Sequence, residues 1–244
     1  MIMWSVVHPQ WRGRGVGAQL TERSLTAARQ ISELRFPGAP TVLQRAAYDR
    51  LTDLIEHLEK HGFTPNHYQN MMKRSITPED AATAPTAPDG LTLIGFTPEL
   101  SEQLRLTHNV ALVPDHPGST PATHEFWASL TGSVAFRADL TFALRDEATG
   151  TLAGYIISRH FQADTEATGK KDVYLNTIGT RREYRRRGVA STLIAAVMHA
   201  AATQGFDTAS LEVRSDNRTG ALGVYERAGF TLRRRFINYA RALT

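Results

Sequence analysis

The chain has 244 residues, 41% of them hydrophobic and 21% charged, with a formal net charge of +4, which suits one large or two modest globular domains. It has no cysteine, which excludes disulfides, a thiolate metal site and a cysteine nucleophile and fits a reducing, cytoplasmic setting. The opening "MIMWSVVHPQW" lacks the basic-then-apolar order of a signal peptide, and no apolar run is long enough to span a bilayer, so no membrane association is expected.

In chain order, "IMWSVVHP" reads as a strand, 13–34 as a long helix, "TVLQR" as a strand, 51–61 as a helix and "HYQNMMKRSI" as a strand. The stretch "TPEDAATAPTAPDG" (77–90) has no large apolar residue and reads as a linker between 1–76 and 91–244. Beyond it come a strand (91–96), a helix (98–112), a second helix at "HEFWASL", and the strands "LTFALRD" and "TLAGYIISRHF" joined by "EATG". A third strand (172–180), a helix from about 188 to 204, a strand (209–214), a helix (218–229) and a last strand, "TLRRRFINYAR", complete the series. Many strands with a few helices predict a mixed α/β (α+β) fold.

The first part repeats the later portion of the second. Gly15 aligns with Gly188 at an offset of 173, and Gly62 of "HGFT" with Gly229 of "AGFT" at 167. The first copy has a shorter middle and no opening half.

The repeat centres on one motif. Arg185 to Ala190 read R-x-x-G-x-A and Arg12 to Gly17 read R-x-x-G-x-G, each after a strand and opening a helix. A helix N-terminus carries unpaired N–H groups and partial positive charge, glycine allows close approach, and arginine pairs with phosphate oxygens. One such motif would be no more than a tight strand–helix turn. Two copies, each followed by a helix and x-G-F some 40 to 50 residues on, point to phosphate binding. The sequence pI of about 9.6 fits a phosphate-bearing partner.

With these residues in view, "YRRRGVASTLI", "LEVRSDN" and "TGALGVYERAGF" resemble the signature segments of the Gcn5-related N-acetyltransferases (GNAT) across 91–244, and more weakly across 1–76. The tandem layout is similar to two-lobe actinobacterial acetyltransferases of the mycothiol synthase type, and "DHPGSTPATHEFW" with "FRADLTFALRD" resembles their acceptor-side segment. The resemblance implies a central twisted, mostly antiparallel sheet split by a cofactor cleft, with a complete catalytic lobe at 91–244 and a partial, degenerate lobe at 1–76. It implies acetyl-CoA as donor, its pyrophosphate on Arg185, Arg186, Arg187, Gly188, Val189 and Ala190 and its pantetheine amides along Ile178, Gly179 and Thr180. Asn217 falls near the pantetheine arm, Tyr225 where the family places the acid for the departing thiolate, and Glu212 where related enzymes carry a general base.

Acetyl transfer to an amine needs a proton acceptor, oxyanion stabilisation and help for the leaving thiolate. Without cysteine, direct attack in a ternary complex on a small-molecule primary amine is expected. His108, His116 and His124 flank the acceptor side without metal-ligand spacing, and no metal is expected. In the first lobe Leu58 stands where Tyr225 does and Arg50 where Asn217 does, so that lobe lacks the acid. Its apolar first strand needs a cover from the second lobe, another chain or upstream residues. Two alternatives remain: an aminoacyltransferase of the same fold fed by charged tRNA, which the arginine runs 185–187 and 233–235 would suit, and a CoA-binding module without turnover.

Overall fold

A computed structural model describes residues 1–115, 119–215 and 220–243. In chain order the elements are α1 (Val16–Arg35), β1 (Val42–Tyr48), α2 (Thr52–Lys60), β2 (Thr64–Ser75), α3 (Pro78–Ala82), β3 (Leu91–Gly95), α4 (Ser101–Leu112), α5 (His124–Thr131), β4 (Phe142–Asp146), β5 (Leu152–Arg159), α6 (Gln162–Thr168), β6 (Asp172–Thr180), α7 (Val189–Thr203), β7 (Thr208–Arg214), α8 (Ala221–Arg227) and β8 (Thr231–Ala242).

These fall into two compact units. The first is Met1–Met71 with residues 214–215 and 233–243, and the second is Met72–Val213 with residues 220–232. The division lies inside β2 and β8, not at the expected boundary after residue 76. Residues 77–90 are also more than a linker. Thr77 and Asp80 form a capping box around Pro78 and start α3, and Asp80 binds Arg74 through both carboxylate oxygens at 2.8 Å.

In the first unit β1 and β8 pair antiparallel from Val42↔Ala242 to Tyr48↔Phe236. Leu25 and Ala28 of α1, Leu58 of α2, Leu43, Ala47, Phe63 and Tyr239 form its core. The expected strand at the N-terminus is reduced to one parallel bridge, Ile2↔Gln44. Met3 enters the core, while Ile2, Trp4 and Val6 are exposed.

In the second unit the strands lie in the order β7-β6-β5-β4-β3. All of these neighbours are antiparallel except β6 and β7. One core gathers Val189, Leu193, Ile194 and Val197 of α7 against Ile156, Val173, Leu175, Leu211 and Val213. A second joins Leu104 of α4 and Trp127 of α5 to Leu152, Tyr155 and Ile157. The helices thus sandwich a mixed, mostly antiparallel sheet.

β6 and β7 pair only from Asp172↔Thr208 to Leu175↔Leu211. β6 runs on to Thr180 and β7 to Arg214 without further mutual pairing among the described residues. Parallel strands that part in this way open a cleft lined by backbone groups.

Candidate active site

The cleft edge is set by the pairing of β6 with β5. Tyr155 faces Gly179, Ile156 faces Ile178 and Gly154 faces Thr180, and Arg181 N–H donates to Ala153 C=O at 3.0 Å. In an antiparallel ladder the direction of the polar groups alternates. Gly179 therefore bonds toward β5, and the N–H and C=O of Ile178 and Thr180 point into the split. Two glycines keep this edge tight. A Cβ on Gly154 would meet Val189 at 2.6 Å and the Gly179 carbonyl at 2.7 Å, and one on Gly179 would meet the Tyr155 ring at 2.4 Å.

After β6 the chain makes a 3-10 turn, Arg182–Tyr184. Arg185 is extended (φ −67°, ψ 155°), Arg186 takes φ 61°, and Gly188 caps α7 at φ 82° with no side-chain cap. A left-handed residue at this point is what turns the chain into the helix, and glycine adopts it without strain. The α7 N-terminus then presents uncapped N–H groups. Val189 is buried and Ala190 half-buried, so the helix start is anchored while Gly188 stays exposed.

The arginines of the run have different occupations. Arg185 is ion-paired with Asp115 and donates to the carbonyls of Thr180 and Ala111 at 3.3 and 3.4 Å. Arg182 holds the other Asp115 oxygen at 2.8 Å. Arg187 reaches the Asp89 carbonyl at 3.2 Å and lies over the Tyr184 ring. Hydrogen bonds from Arg182, then Arg185, hold the Asp115 carboxyl below its usual range. Arg186 is exposed and makes no ion pair among the described residues.

The first unit carries the same turn. A 3-10 turn, Pro9–Trp11, leads to Arg12 at φ −67° and ψ 154°, Gly13 at φ 73° and Gly15 at φ 77° capping α1. At an offset of 173 these match Arg185, Arg186 and Gly188 residue for residue. Leu58, aligned with Tyr225 in the sequence, is 0% exposed, a core residue.

Tyr174 of β6 and Glu212 of β7 lie within electrostatic reach of each other. Burial raises the Glu212 carboxyl above its ordinary value, and burial, then Glu212, pushes the Tyr174 phenol up to about 12. At the foot of these strands Asp172 is clasped by Lys73 at 3.1 Å, by the Thr208 hydroxyl at 2.6 Å and by the Ser210 hydroxyl. Tyr225 is half-buried on α8, its ring edge-on to Phe230 at 6.3 Å, and burial pushes its phenol up to about 12.

Between α4, α5 and β5, His108 Nδ1 and the Tyr155 hydroxyl share a 2.6 Å hydrogen bond, with Trp127 edge-on to the histidine. The chain separation of this pair hid it from sequence reading, although both residues stand in predicted elements. His124 is engaged with Glu102 at 3.3 Å in a cluster with Arg105. Asn217 and His116 lie outside the described residues.

A family model described as the acetyltransferase (GNAT) family matches residues 103–230. The mycothiol acetyltransferase of Tsukamurella paurometabola is 31% identical over 242 residues, 97% of this chain and 76% of that protein. The mycothiol acetyltransferase of Streptomyces scabiei is 28% identical, over 92% of this chain and 66% of that protein. Among solved structures, a GCN5-related N-acetyltransferase from Sphaerobacter thermophilus superposes with a TM-score of 0.79 at 26% identity, covering 97% of this chain and 71% of that one. A tandem GNAT protein from the clavulanic acid biosynthesis pathway gives 0.71 at 14% identity, covering 98% and 73%, a likeness of fold.

Proposed function

Because this chain belongs to the GNAT acetyltransferase family, we propose that it moves the acetyl group of acetyl-CoA to the primary amine of a small molecule by direct attack in a ternary complex. The observation that carries this reading is the parting of β6 from β7 after Leu175↔Leu211, next to the glycine-capped start of α7. Ile178 and Thr180 offer backbone groups to the amide-bearing arm of the donor, and the N–H groups from Gly188 to Ala190 receive its pyrophosphate. Arg185 contributes through Asp115, by fixing the turn, and Arg186 is the arginine left to meet phosphate. The bound donor supplies an activated thioester. Glu212 takes the proton of the attacking amine, and Tyr225 holds an O–H toward the departing sulfur.

The name of the relatives points to the amine that receives the acetyl group of mycothiol as the first acceptor to try. A panel of amines with acetyl-CoA, read by thiol release, should show saturable turnover with an amine of this kind. No turnover with any amine, together with tRNA retained in native mass spectra of the purified protein, would transfer the reading to an aminoacyl donor.

The twin turns allow a controlled test of which unit works. Gly15 and Gly188 share φ near 80°, so valine at either position costs a similar amount, about 1–3 kcal/mol of strain. Nothing lies within 4 Å of a Cβ at Gly15, and Pro88 lies at 3.7 Å from one at Gly188. Gly188→Val should abolish acetyl transfer, and Gly15→Val should keep it while losing as much melting temperature. Equal loss of activity in two folded variants would make the first unit part of the active site.

A further inference from the structure

The second arginine run, 233–235, has no part in the site above. Arg235 is occupied, donating to the Asn70 side chain at 3.2 Å. Arg233 and Arg234 instead line a pocket of ≈ 270 Å³ in the first unit together with Tyr48, Asp49, Arg50 and Leu51. It forms where the β1–β8 ladder ends at Tyr48↔Phe236 and the chain turns into α2.

Three guanidinium groups share this pocket with one carboxylate. Among the described residues Arg50, Arg233 and Arg234 make no ion pair, whereas Arg181, Arg182 and Arg185, around the turn before α7, each pair with a carboxylate and Arg186 and Arg187 do not. Three cations gathered around a single carboxylate repel one another, and a bound anion reduces that repulsion. The geometry is partly fixed in advance. Arg234 lies over the Tyr48 ring at 5.3 Å and donates to its hydroxyl at 3.0 Å, and Tyr48 stacks on Phe236 at 4.1 Å. A guanidinium held in this way loses less freedom when it binds.

We propose that this pocket binds the phosphate group of a small ligand, at a site separate from the glycine-capped turn of either unit. Guanidinium forks match phosphate oxygens in pairs, and the volume suits a compact diphosphate better than a length of polynucleotide strand.

Inorganic pyrophosphate is the probe. Titration calorimetry is run on the full chain saturated with acetyl-CoA, which occupies the turn at Gly188. One pyrophosphate per chain should bind saturably, and Arg50→Gln/Arg233→Gln should weaken it at least tenfold without changing acetyl-CoA turnover or melting temperature. Arg23→Gln/Arg35→Gln, which removes two exposed cations elsewhere in the same unit, should leave it unchanged. No uptake, or equal weakening in the two double variants, would overturn the site. A single-stranded RNA decamer that displaces pyrophosphate and binds more tightly would replace the small ligand with nucleic acid.

Discussion

Tyr225→Phe should lower kcat by roughly 10²–10³, the range expected for loss of one hydrogen-bond donor that acts in the transition state. Burial pushes this phenol up to about 12, so it stays protonated at every working pH. A leaving thiolate has a conjugate acid near 8.5, so full transfer from a phenol this weak would run uphill by about 5 kcal/mol. We therefore propose Tyr225 as a hydrogen-bond donor that stabilises negative charge as it gathers on sulfur. Acetyl-CoA affinity should barely change, because the bond strengthens only as the thiolate departs. A thioester of a more acidic thiol should recover much of the loss. The ring remains against Phe230, so the melting temperature should hold. Normal turnover with a lowered melting temperature would reduce Tyr225 to a packing residue.

Glu212→Gln should lower kcat/KM by about 10²–10⁴, the usual contribution of a general base, without lowering stability at neutral pH. The two effects have one cause. Burial raises the carboxyl above its ordinary value, so the folded protein binds this proton more tightly than the unfolded chain does. The stabilisation that follows is full below the unfolded value, about 4.3, and is lost as pH rises through the folded value. Ionised Glu212 at pH 7 therefore subtracts from stability, and the neutral amide removes the subtraction. In the wild type kcat/KM should climb as Glu212 ionises, above the ordinary carboxylate range. After correction for the acceptor's own ionisation, no descending limb from Tyr225 should appear below about pH 11, one unit under its value of about 12. The Gln variant should lose the ascending limb. A variant that keeps the limb, or that falls in activity and melting temperature together, would remove Glu212 from the mechanism.

How legible the protein was depended on how local each feature is. β6 was expected at 172–180 and occupies Asp172–Thr180, because its apolar alternation and flanking charges are contained within nine residues. Gly188 and Gly15 stand out because each falls in an R-x-x-G motif that opens a helix, and both take the left-handed conformation that glycine permits. α3 was missed although Thr77, Pro78 and Asp80 spell a capping box. The Pro- and Ala-rich composition around it suggested a linker instead. α6, "QADTEAT", was missed because it has no apolar face to reveal a period. Around the turn before α7, the residue types are legible in the sequence and their engagements are not. Nothing near Arg185 announces that Asp115, seventy positions earlier, takes its guanidinium. The hydrogen bond between His108 and Tyr155 spans 47 positions in the same way. The place of Leu58 in a core, by contrast, is legible in the sequence, since a leucine on the apolar side of a short helix is readily read as buried.

The division of the two units inside β2 and β8 has a consequence for synthesis. Residues 233–243 supply the strand that pairs with β1. Residues 1–71 therefore cannot complete their sheet until residues 233–243 have been made. Met72 is buried in the second unit's main core and Arg74 ties Asp80 to the Ala228 carbonyl within that unit. The earlier segment must therefore stay unentangled while residues 72–232 are made. Until then residues 1–71 lack the strand that closes their sheet, and an unpaired strand edge of this kind can pair with other chains.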